Sequence, residues 1–194
     1  MKIFTVRHGQ TPWNVQRRIQ GHTDIALDET GLLQAEKIGK RFANEKIDII
    51  YSSDLSRAAK TAQAIGRHHN AEIVLTPDLR ERNLGEFEGR FYHEISQELD
   101  HYNALKQPLP GGESSDQAFC RISSVLAEAL STQHKTIVIV GHHGTVLNVM
   151  RFLLQASQEE AEMYHIGNTA IHCFQRKSDG VFHMTIENDM SHLD

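Results

Sequence analysis

Histidines follow two apolar segments of this chain directly. Segment 2–6 is followed by Arg7 and His8, and segment 136–140 is followed by Gly141 and then His142. In open α/β sheets, ligands bind in the crevice beyond the carboxyl ends of the strands. If both segments are strands, their histidines can meet in one pocket. There an imidazole can ligate a metal, transfer a proton or act as a nucleophile.

Two arginines favour a phosphate over a metal at this place. Arg7 adjoins His8, and Arg57 lies early in a helix predicted after a second apolar segment, 47–51. A guanidinium binds phosphate oxygens with paired donors, whereas a fixed cation repels a divalent metal. The chain also lacks the H-E-x-x-H and C-x-x-C metal patterns. We therefore predict an anion site without a metal.

A charged stretch at residues 79–90 could provide an acid. It carries Glu81, Glu86 and Glu88 among three arginines. Cleavage of a phosphate ester needs a proton on the departing oxygen, and a glutamic acid can supply one. The alternative is a solvated loop of surface ion pairs that contribute little. The pattern alone does not choose among the three carboxylates.

Other phosphate-handling and hydrolytic motifs are missing from the chain. It contains neither a G-x-x-x-x-G-K-[ST] loop nor a G-x-S-x-G elbow. A cysteine phosphatase needs an arginine six residues after its cysteine. Leu126 and Asp179 stand at that distance from Cys120 and Cys173.

Length and composition predict one domain of 194 residues with a formal net charge of −5. That charge does not suggest a nucleic-acid partner. The apolar runs are too short to span a membrane, the N-terminus has no signal-peptide order, and the two cysteines are far apart. We predict a cytoplasmic protein without membrane attachment, disulfide or cofactor. The sequence does not indicate its oligomeric state.

Strand and helix patterns alternate and predict a three-layer α/β/α sandwich with a mainly parallel sheet. Strands are predicted at 2–6, 47–51, 72–75, 136–140, 169–175 and 181–186. Helices are predicted at 31–44, from a cap at Ser52-Ser53-Asp54 to about 68, and at 91–101, 113–133 and 144–154. Segment 77–112 is long for a connection, so we predict that it forms a cap or lid.

Taken in order, the motifs resemble the histidine phosphatase superfamily, which has the phosphoglycerate-mutase-like fold. The resemblance spans nearly the whole chain and is of the phosphatase type. It rests on Arg7-His8-Gly9 with Trp13-Asn14, on Gln20-Gly21 and 27–31, on Ser52 to Ala62, on Leu79-Arg80-Glu81 with Gly85, Glu88 and Gly89, on 110–114, and on Val140-Gly141-His142. The chain departs from the family at Gln10, where a glutamate is common, and at His143, where a glycine is usual.

The resemblance implies a role for each matching residue. His8 would be the nucleophile that becomes phosphorylated, and Glu81 would be the proton donor and later the base. Arg7, Arg57 and His142 would hold the phosphoryl oxygens with help from Asn14, and Gln20 and Gly21 would border the substrate mouth. His143, beside the assigned His142, could also reach the pocket.

Such catalysis sets requirements on the two reacting groups. The attacking nitrogen of His8 must be neutral, so its other nitrogen should donate to a fixed acceptor, such as a backbone carbonyl. Glu81 must start protonated, which predicts an acidic-to-neutral pH optimum without a metal requirement.

The expected activity is hydrolysis of small-molecule phosphate monoesters. A phosphoglycerate mutase is the alternative within the fold, although mutases of this family are usually longer. A catalytically inactive phospho-ligand-binding module is a third possibility. Candidate substrates range from sugar phosphates to α-ribazole phosphate to broad, nonspecific hydrolysis. We expect segments 15–25 and 85–112 to roof the pocket and set its specificity. Five aromatic residues in or beside these segments are more simply local core than a ring-binding site: Trp13, Phe87, Phe91, Tyr92 and Tyr102.

Overall fold

The computed structural model describes residues 1–105 and 107–194. Its strands are β1 (Lys2–Arg7), β2 (Ile49–Ser53), β3 (Glu72–Thr76), β4 (Thr136–Gly141), β5 (Ile171–Arg176) and β6 (Phe182–Asp189). Its helices are α1 (Pro12–Gln16), α2 (Glu29–Phe42), α3 (Ser56–Gly66), α4 (Tyr92–Ala104), α5 (Ser115–Ser131), α6 (His143–Leu154) and α7 (Gln158–Glu162). The short helix α7 was not predicted.

The strands form one sheet in the order β3-β2-β4-β1-β5-β6. The first four are parallel to one another, whereas β5 and β6 run antiparallel to their neighbours. The prediction of a mainly parallel α/β sheet is therefore confirmed. Because β1, β4 and β2 are adjacent and parallel, their carboxyl ends lie at one edge of the sheet.

Helices cover both faces of the sheet and bury two apolar cores. On one face, Ile38 and Phe42 of α2 and Ile65 of α3 pack in one cluster with strand residues such as Phe4. On the other face, side chains of α5 and α6 such as Leu126 pack in a second cluster. The three-layer arrangement holds the strand ends rigidly, since interiors pack at nearly crystalline density.

The predicted cap at Ser52-Ser53-Asp54 is wrong. β2 extends to Ser53, and α3 begins after Leu55, which gives no side-chain cap. The polar side chains have other partners: Ser53 Oγ accepts from His142, and Asp54 accepts two hydrogen bonds from Arg80 at 2.7 and 2.6 Å. These polar residues look like a cap in sequence but act in tertiary contacts.

Segment 77–112 contains Lys106, which lies outside the described residues. The described part has 3₁₀ turns at Pro77–Leu79 and Gly85–Phe87 and the helix α4. It carries a small core of its own, in which Phe87, Ile95 and Leu109 are buried. Backbone hydrogen bonds between 17–19 and 89–92 join this segment to the chain that follows β1.

Candidate active site

Three neighbouring strand ends bring the predicted residues together. Arg7 at the end of β1 is paired in register with Gly141 at the end of β4, and the amide of His8 donates to the Gly141 carbonyl at 2.9 Å. Arg57 enters from the first turn of α3, after β2. The ring centroids of His8 and His142 are 5.1 Å apart.

His8 is fixed in one neutral tautomer. Its ring is buried, and Nδ1 lies 2.7 Å from the Gly9 carbonyl oxygen. A carbonyl only accepts, so Nδ1 carries the proton and Nε2 keeps its lone pair. Burial and the cations of Arg57 and Arg7 hold the pKa of His8 well below its usual range. The predicted acceptor is thus a backbone carbonyl, that of Gly9.

The opposite tautomer follows for His142. Arg57 Nε donates to His142 Nδ1 at 3.2 Å, so the remaining proton is on Nε2, which donates to Ser53 Oγ at 2.9 Å. Burial, together with Arg57 and His8, holds the pKa of His142 well below its usual range. Both imidazoles are therefore neutral in this structure.

Arg57 is fully buried and holds the loop at 21–23 as well as His142. Its Nη1 and Nη2 donate to the carbonyls of Thr23 and Gly21, each at 2.8 Å. Burial lowers the pKa of Arg57 to about 10, so the guanidinium remains charged at neutral pH. Gly21 has φ +52°, and a Cβ there would collide with the Glu88 carboxylate.

Arg7 and Asn14 lie in the same cleft as the two histidines. Arg7 Nη1 donates to the Ile166 carbonyl at 2.7 Å, and among the described residues its buried Nε has no partner. Asn14 Oδ1 accepts from the amide of Thr11 at 3.1 Å, and Thr11 is the N-cap of α1, whose first residue is Pro12. Both arginines thus line the same cleft as the two neutral imidazoles.

The three carboxylates of residues 79–90 have different positions. Glu81 lines the cleft, where Oε2 accepts from the Gly144 amide at 3.0 Å and Oε1 from the Arg82 amide at 2.8 Å. Glu88 instead accepts from the amides of His22, Thr23 and Leu84 and from the Thr23 hydroxyl. Glu86 is exposed.

The backbone that carries Glu81 is held by one guanidinium. Arg121 of α5 donates to the carbonyls of Asp78, Arg80 and Glu81 at 2.8–2.9 Å and forms an ion pair with Glu113. Glu113 also accepts from the Asn83 amide at 2.7 Å. The position of Glu81 therefore depends on side chains from another helix.

One cleft, here called the strand-end cleft, has a volume of about 350 Å³ and contains all nine predicted site residues in its wall. These are Arg7, His8, Asn14, Gln20, Gly21, Arg57, Glu81, His142 and His143. The lining residues that the sequence analysis did not assign to the site are Arg17, Arg18, Ile19 and Leu84, together with the aromatic side chains of Trp13 and Tyr92.

Of the five aromatic residues considered above, some line the cleft and others pack as local core. Trp13 and Tyr92 line the strand-end cleft, whereas Phe87 belongs to the small core of segment 77–112 with Tyr102 packed against it. Arg18 stacks on Phe91, with its guanidinium carbon 4.0 Å from the ring centroid. The sequence signal for Trp13, Arg17, Arg18 and Ile19 was their position soon after the Arg-His-Gly motif, whereas Leu84 and Tyr92 lie in the segment that carries Glu81.

Within residues 1–105 and 107–194, no group of three or more His, Cys, Asp or Glu side chains could hold a metal ion. Within the same range, every helix is too short or too polar to cross a bilayer.

Comparison with known proteins identifies the relatives of this chain. "Phosphoglycerate mutase-like protein 4" of Arabidopsis thaliana is 36% identical, over all of this chain and 87% of the relative. "Putative phosphoserine phosphatase 2" of Hydrogenobacter thermophilus is 33% identical, over 93% of this chain and 94% of the relative. A solved structure of a phosphoserine phosphatase mutant from Entamoeba histolytica with phosphoserine is 28% identical, with a TM-score of 0.85 over 100% of this chain and 99% of that one.

The model of the histidine phosphatase superfamily (branch 1) matches residues 3–189. The match includes all three strand ends and the segment that carries Glu81. The chain therefore belongs to the histidine phosphatase superfamily.

Proposed function

We propose that this protein is a phosphatase that hydrolyses small-molecule phosphate monoesters through a phosphohistidine on His8. The observation that carries the proposal is the tautomer of His8. The protonated Nδ1 donates a hydrogen bond to the Gly9 carbonyl, which leaves the Nε2 lone pair in a cleft lined by Arg7 and Arg57. A neutral nucleophile beside fixed cations suits attack on an anionic phosphorus centre.

The reaction has two displacement steps. Nε2 of His8 attacks phosphorus while the bond from phosphorus to the ester oxygen breaks, and Glu81 gives its proton to that oxygen so that an alcohol leaves. Water then attacks phosphorus as the phosphorus–nitrogen bond breaks, and Glu81 takes the proton of the water. Inorganic phosphate departs, and both residues return to their starting states.

Stabilisation of the transferring group is assigned to Arg7, Arg57, His142 and Asn14. Positioning and electrostatics supply most of the rate in phosphoryl transfer. His142 Nδ1 now accepts from Arg57, so it must gain a proton before it can donate to a phosphoryl oxygen. The arriving anion favours that proton, because an adjacent negative charge raises the pKa of an imidazole.

The remaining predicted residues are assigned to the substrate mouth. Gln20, Gly21 and His143 line the strand-end cleft. Segment 77–112 would act as the cap, because it carries Glu81 and closes against 17–19 through backbone hydrogen bonds. Protonated Glu81 implies an acidic-to-neutral optimum of the acid-phosphatase type.

We also propose that the reaction needs no metal ion. Two guanidinium groups stand where a metal would otherwise neutralise phosphoryl charge. The expected cytoplasmic location stays a prediction.

The test is to trap the phosphoenzyme. Purified protein is mixed with p-nitrophenyl phosphate, quenched in alkali and weighed by intact mass spectrometry. We expect a phosphoryl adduct in the native protein and none in His8→Ala, whose turnover should fall by about 10⁴-fold or more. Phosphoserine and 3-phosphoglycerate are natural further substrates, since solved relatives are described in complex with them.

Three results would contradict the proposal. Turnover without any adduct, retained in His8→Ala, would remove the covalent mechanism. Loss of activity in EDTA and its recovery with a divalent ion would remove metal independence. Conversion of 3- to 2-phosphoglycerate without phosphate release would support the mutase alternative instead.

A further inference from the structure

The loop at 21–24 is fixed to α3 from both sides. Arg57 of α3 donates to two carbonyls of this loop, each at 2.8 Å. In return, Asp24 Oδ1 accepts from the Ser56 amide at 2.9 Å and from the Ser56 hydroxyl at 2.7 Å. The N-cap residue of α3 makes no side-chain hydrogen bond, so Asp24 provides an acceptor for the first turn of the helix. The loop is therefore held in a fixed position relative to Arg57.

The side chain of His22 extends from this loop to the backbone of Glu81. Its ring is partly buried, and Nε2 lies 2.8 Å from the Glu81 carbonyl oxygen and 3.9 Å from Glu113 Oε1. A carbonyl oxygen only accepts, so Nε2 carries a proton and donates a hydrogen bond to Glu81. The His22 amide donates to Glu88 Oε1 at 2.8 Å, so the residue is held at its backbone as well as at its ring.

The carbonyl that His22 holds belongs to the same peptide group as an amide that binds the Glu81 carboxylate. The oxygen of this group accepts from His22 and from Arg121 Nη2, each at 2.8 Å. The nitrogen of the group is that of Arg82, which donates to Glu81 Oε1 at 2.8 Å. Because a peptide group is planar, its C=O and N–H turn together. The two donors on the oxygen therefore fix the direction in which the N–H meets the carboxylate.

The position of the Glu81 carboxyl group depends on this peptide group. Its other oxygen, Oε2, accepts from the Gly144 amide at 3.0 Å, in the first turn of α6. If the peptide group turned, Oε1 would lose its donor, and a single contact would be left to hold the carboxyl group. A general acid has to lie within hydrogen-bond reach of the oxygen that it protonates, and a small displacement is costly.

We propose that His22 is a positioning residue for the proton donor. It transmits the position of the loop, which Arg57 fixes, to the peptide group that orients the Glu81 carboxyl group. This inference rests on the proposed function, in which Arg57 binds the phosphoryl group and Glu81 protonates the leaving oxygen. Among the described residues, those that line the strand-end cleft do not include His22, so it acts through Glu81 and not by contact with the substrate.

Two substrates of similar shape separate positioning from binding. Phenyl phosphate and p-nitrophenyl phosphate differ by one nitro group, but phenol is a much weaker acid than p-nitrophenol, so its oxygen needs a proton far more. In the full-length protein, we expect His22→Phe to lower kcat/KM about tenfold for phenyl phosphate and less than about threefold for p-nitrophenyl phosphate. The phenylalanine keeps a ring of similar size and removes only the donor.

A second histidine and a rescue variant provide the controls. His68 is exposed just after α3, and His68→Phe makes the same exchange away from the site. It should change neither value more than about twofold, as is usual for surface substitutions. His22→Gln keeps an N–H donor on a side chain of similar reach and should recover most of the loss for phenyl phosphate.

The deciding quantity is the ratio of the kcat/KM for phenyl phosphate to that for p-nitrophenyl phosphate. Both values scale with the same concentration of active protein, so a variant that is merely less stable keeps the native ratio. A weaker phosphoryl site also keeps it, because the two substrates share the phosphoryl group. The ratio should fall in His22→Phe and should fall further in Glu81→Gln, which removes the acid itself.

Two outcomes overturn the positioning role and leave the proposed function intact. One is a native ratio in His22→Phe beside a lowered ratio in Glu81→Gln. The other is an equally low ratio in His22→Gln and His22→Phe, which would mean that the donated hydrogen bond is not what matters. A native ratio in Glu81→Gln would instead remove Glu81 as the proton donor, and this inference would fail with it. The phosphoenzyme on His8 is judged separately, by its mass.

Discussion

The strand ends and segment 77–112 contribute to one cleft but are held by different forces. His8 and His142 follow adjacent parallel strands, where the backbone ladder fixes their positions. Glu81 lies in an irregular segment, where the side chains of Arg121 and Glu88 make the connections. The proposed phosphoryl-binding residues therefore depend on the sheet itself, whereas the proposed proton donor depends on a few side-chain contacts that single substitutions can remove.

The largest expected effect on the segment side of this comparison is that of Glu81→Gln. General acid catalysis contributes about 10²–10⁴-fold, so kcat should fall by this factor for an alkyl phosphate. The loss should be smaller for p-nitrophenyl phosphate, whose leaving group needs little protonation. Glu86→Gln, an exposed carboxylate of the same segment, is the control. Equal effects in both variants would refute the assignment of Glu81.

On the strand side, substitutions of the adjacent residues His142 and His143 should differ sharply in their effect on turnover. His142→Ala removes a buried partner of Arg57, and we expect turnover to fall by about 10²–10³-fold. His143→Ala alters only the wall of the strand-end cleft and should cost less than tenfold. Steady-state kinetics on p-nitrophenyl phosphate measures both. A larger loss in His143→Ala would transfer the phosphoryl role to that residue.

The sheet side should also show a specific sensitivity to acid. His172 on β5 is fully buried, neither ring nitrogen has a partner among the described residues, and burial lowers its pKa to about 4. The unfolded chain binds this proton near pH 6.5, so stability is complete above that pH and is lost as the pH falls towards 4.

Urea unfolding at pH 7.5 and pH 5 measures this loss. For His172 alone, linkage gives about 2 kcal/mol at pH 5, so the pH dependence of the free energy of unfolding should shrink by that amount in His172→Leu. His183→Leu changes an imidazole on the neighbouring strand β6 whose side chain is 42% exposed, and it should leave the pH dependence as in the native protein. An unchanged slope in His172→Leu would contradict the assignment.

The smallest effect tests the side-chain support of Glu81. Arg121→Met removes three hydrogen bonds to the carbonyls of the segment, and kcat should fall about tenfold while KM changes little. A positioning role predicts a larger loss for alkyl than for aryl phosphates, as in Glu81→Gln. A uniform loss with a lower melting temperature would instead indicate a structural role only.

The sequence predicted the sheet side far better than the segment. Apolar runs located all six strands, and residues that follow buried parallel strands are forced to one edge, so Arg7, His8 and His142 could be grouped from the sequence. Errors occurred where polar residues had long-range partners. Ser53 and Asp54 resembled a helix cap because their contacts with His142 and Arg80 cannot be read from local spacing.

Segment 77–112 could not be resolved by pattern. Glu81, Glu86 and Glu88 have the same chemistry in the sequence, and only the family resemblance singled out Glu81. The structure separates them through their partners, which come from distant parts of the chain. The role of Arg121, 40 residues from Glu81, had no local signal either.

The contacts of Glu88 make one side chain important for two parts of the chain during evolution. One carboxylate joins the loop after β1 to segment 77–112 through His22, Thr23 and Leu84. A substitution at this position would loosen two walls of the mouth together and leave His8 and His142 in the sheet. Single substitutions at Glu88 could therefore change which alcohol part of the substrate is accepted, while the proposed phosphoryl transfer at His8 is retained.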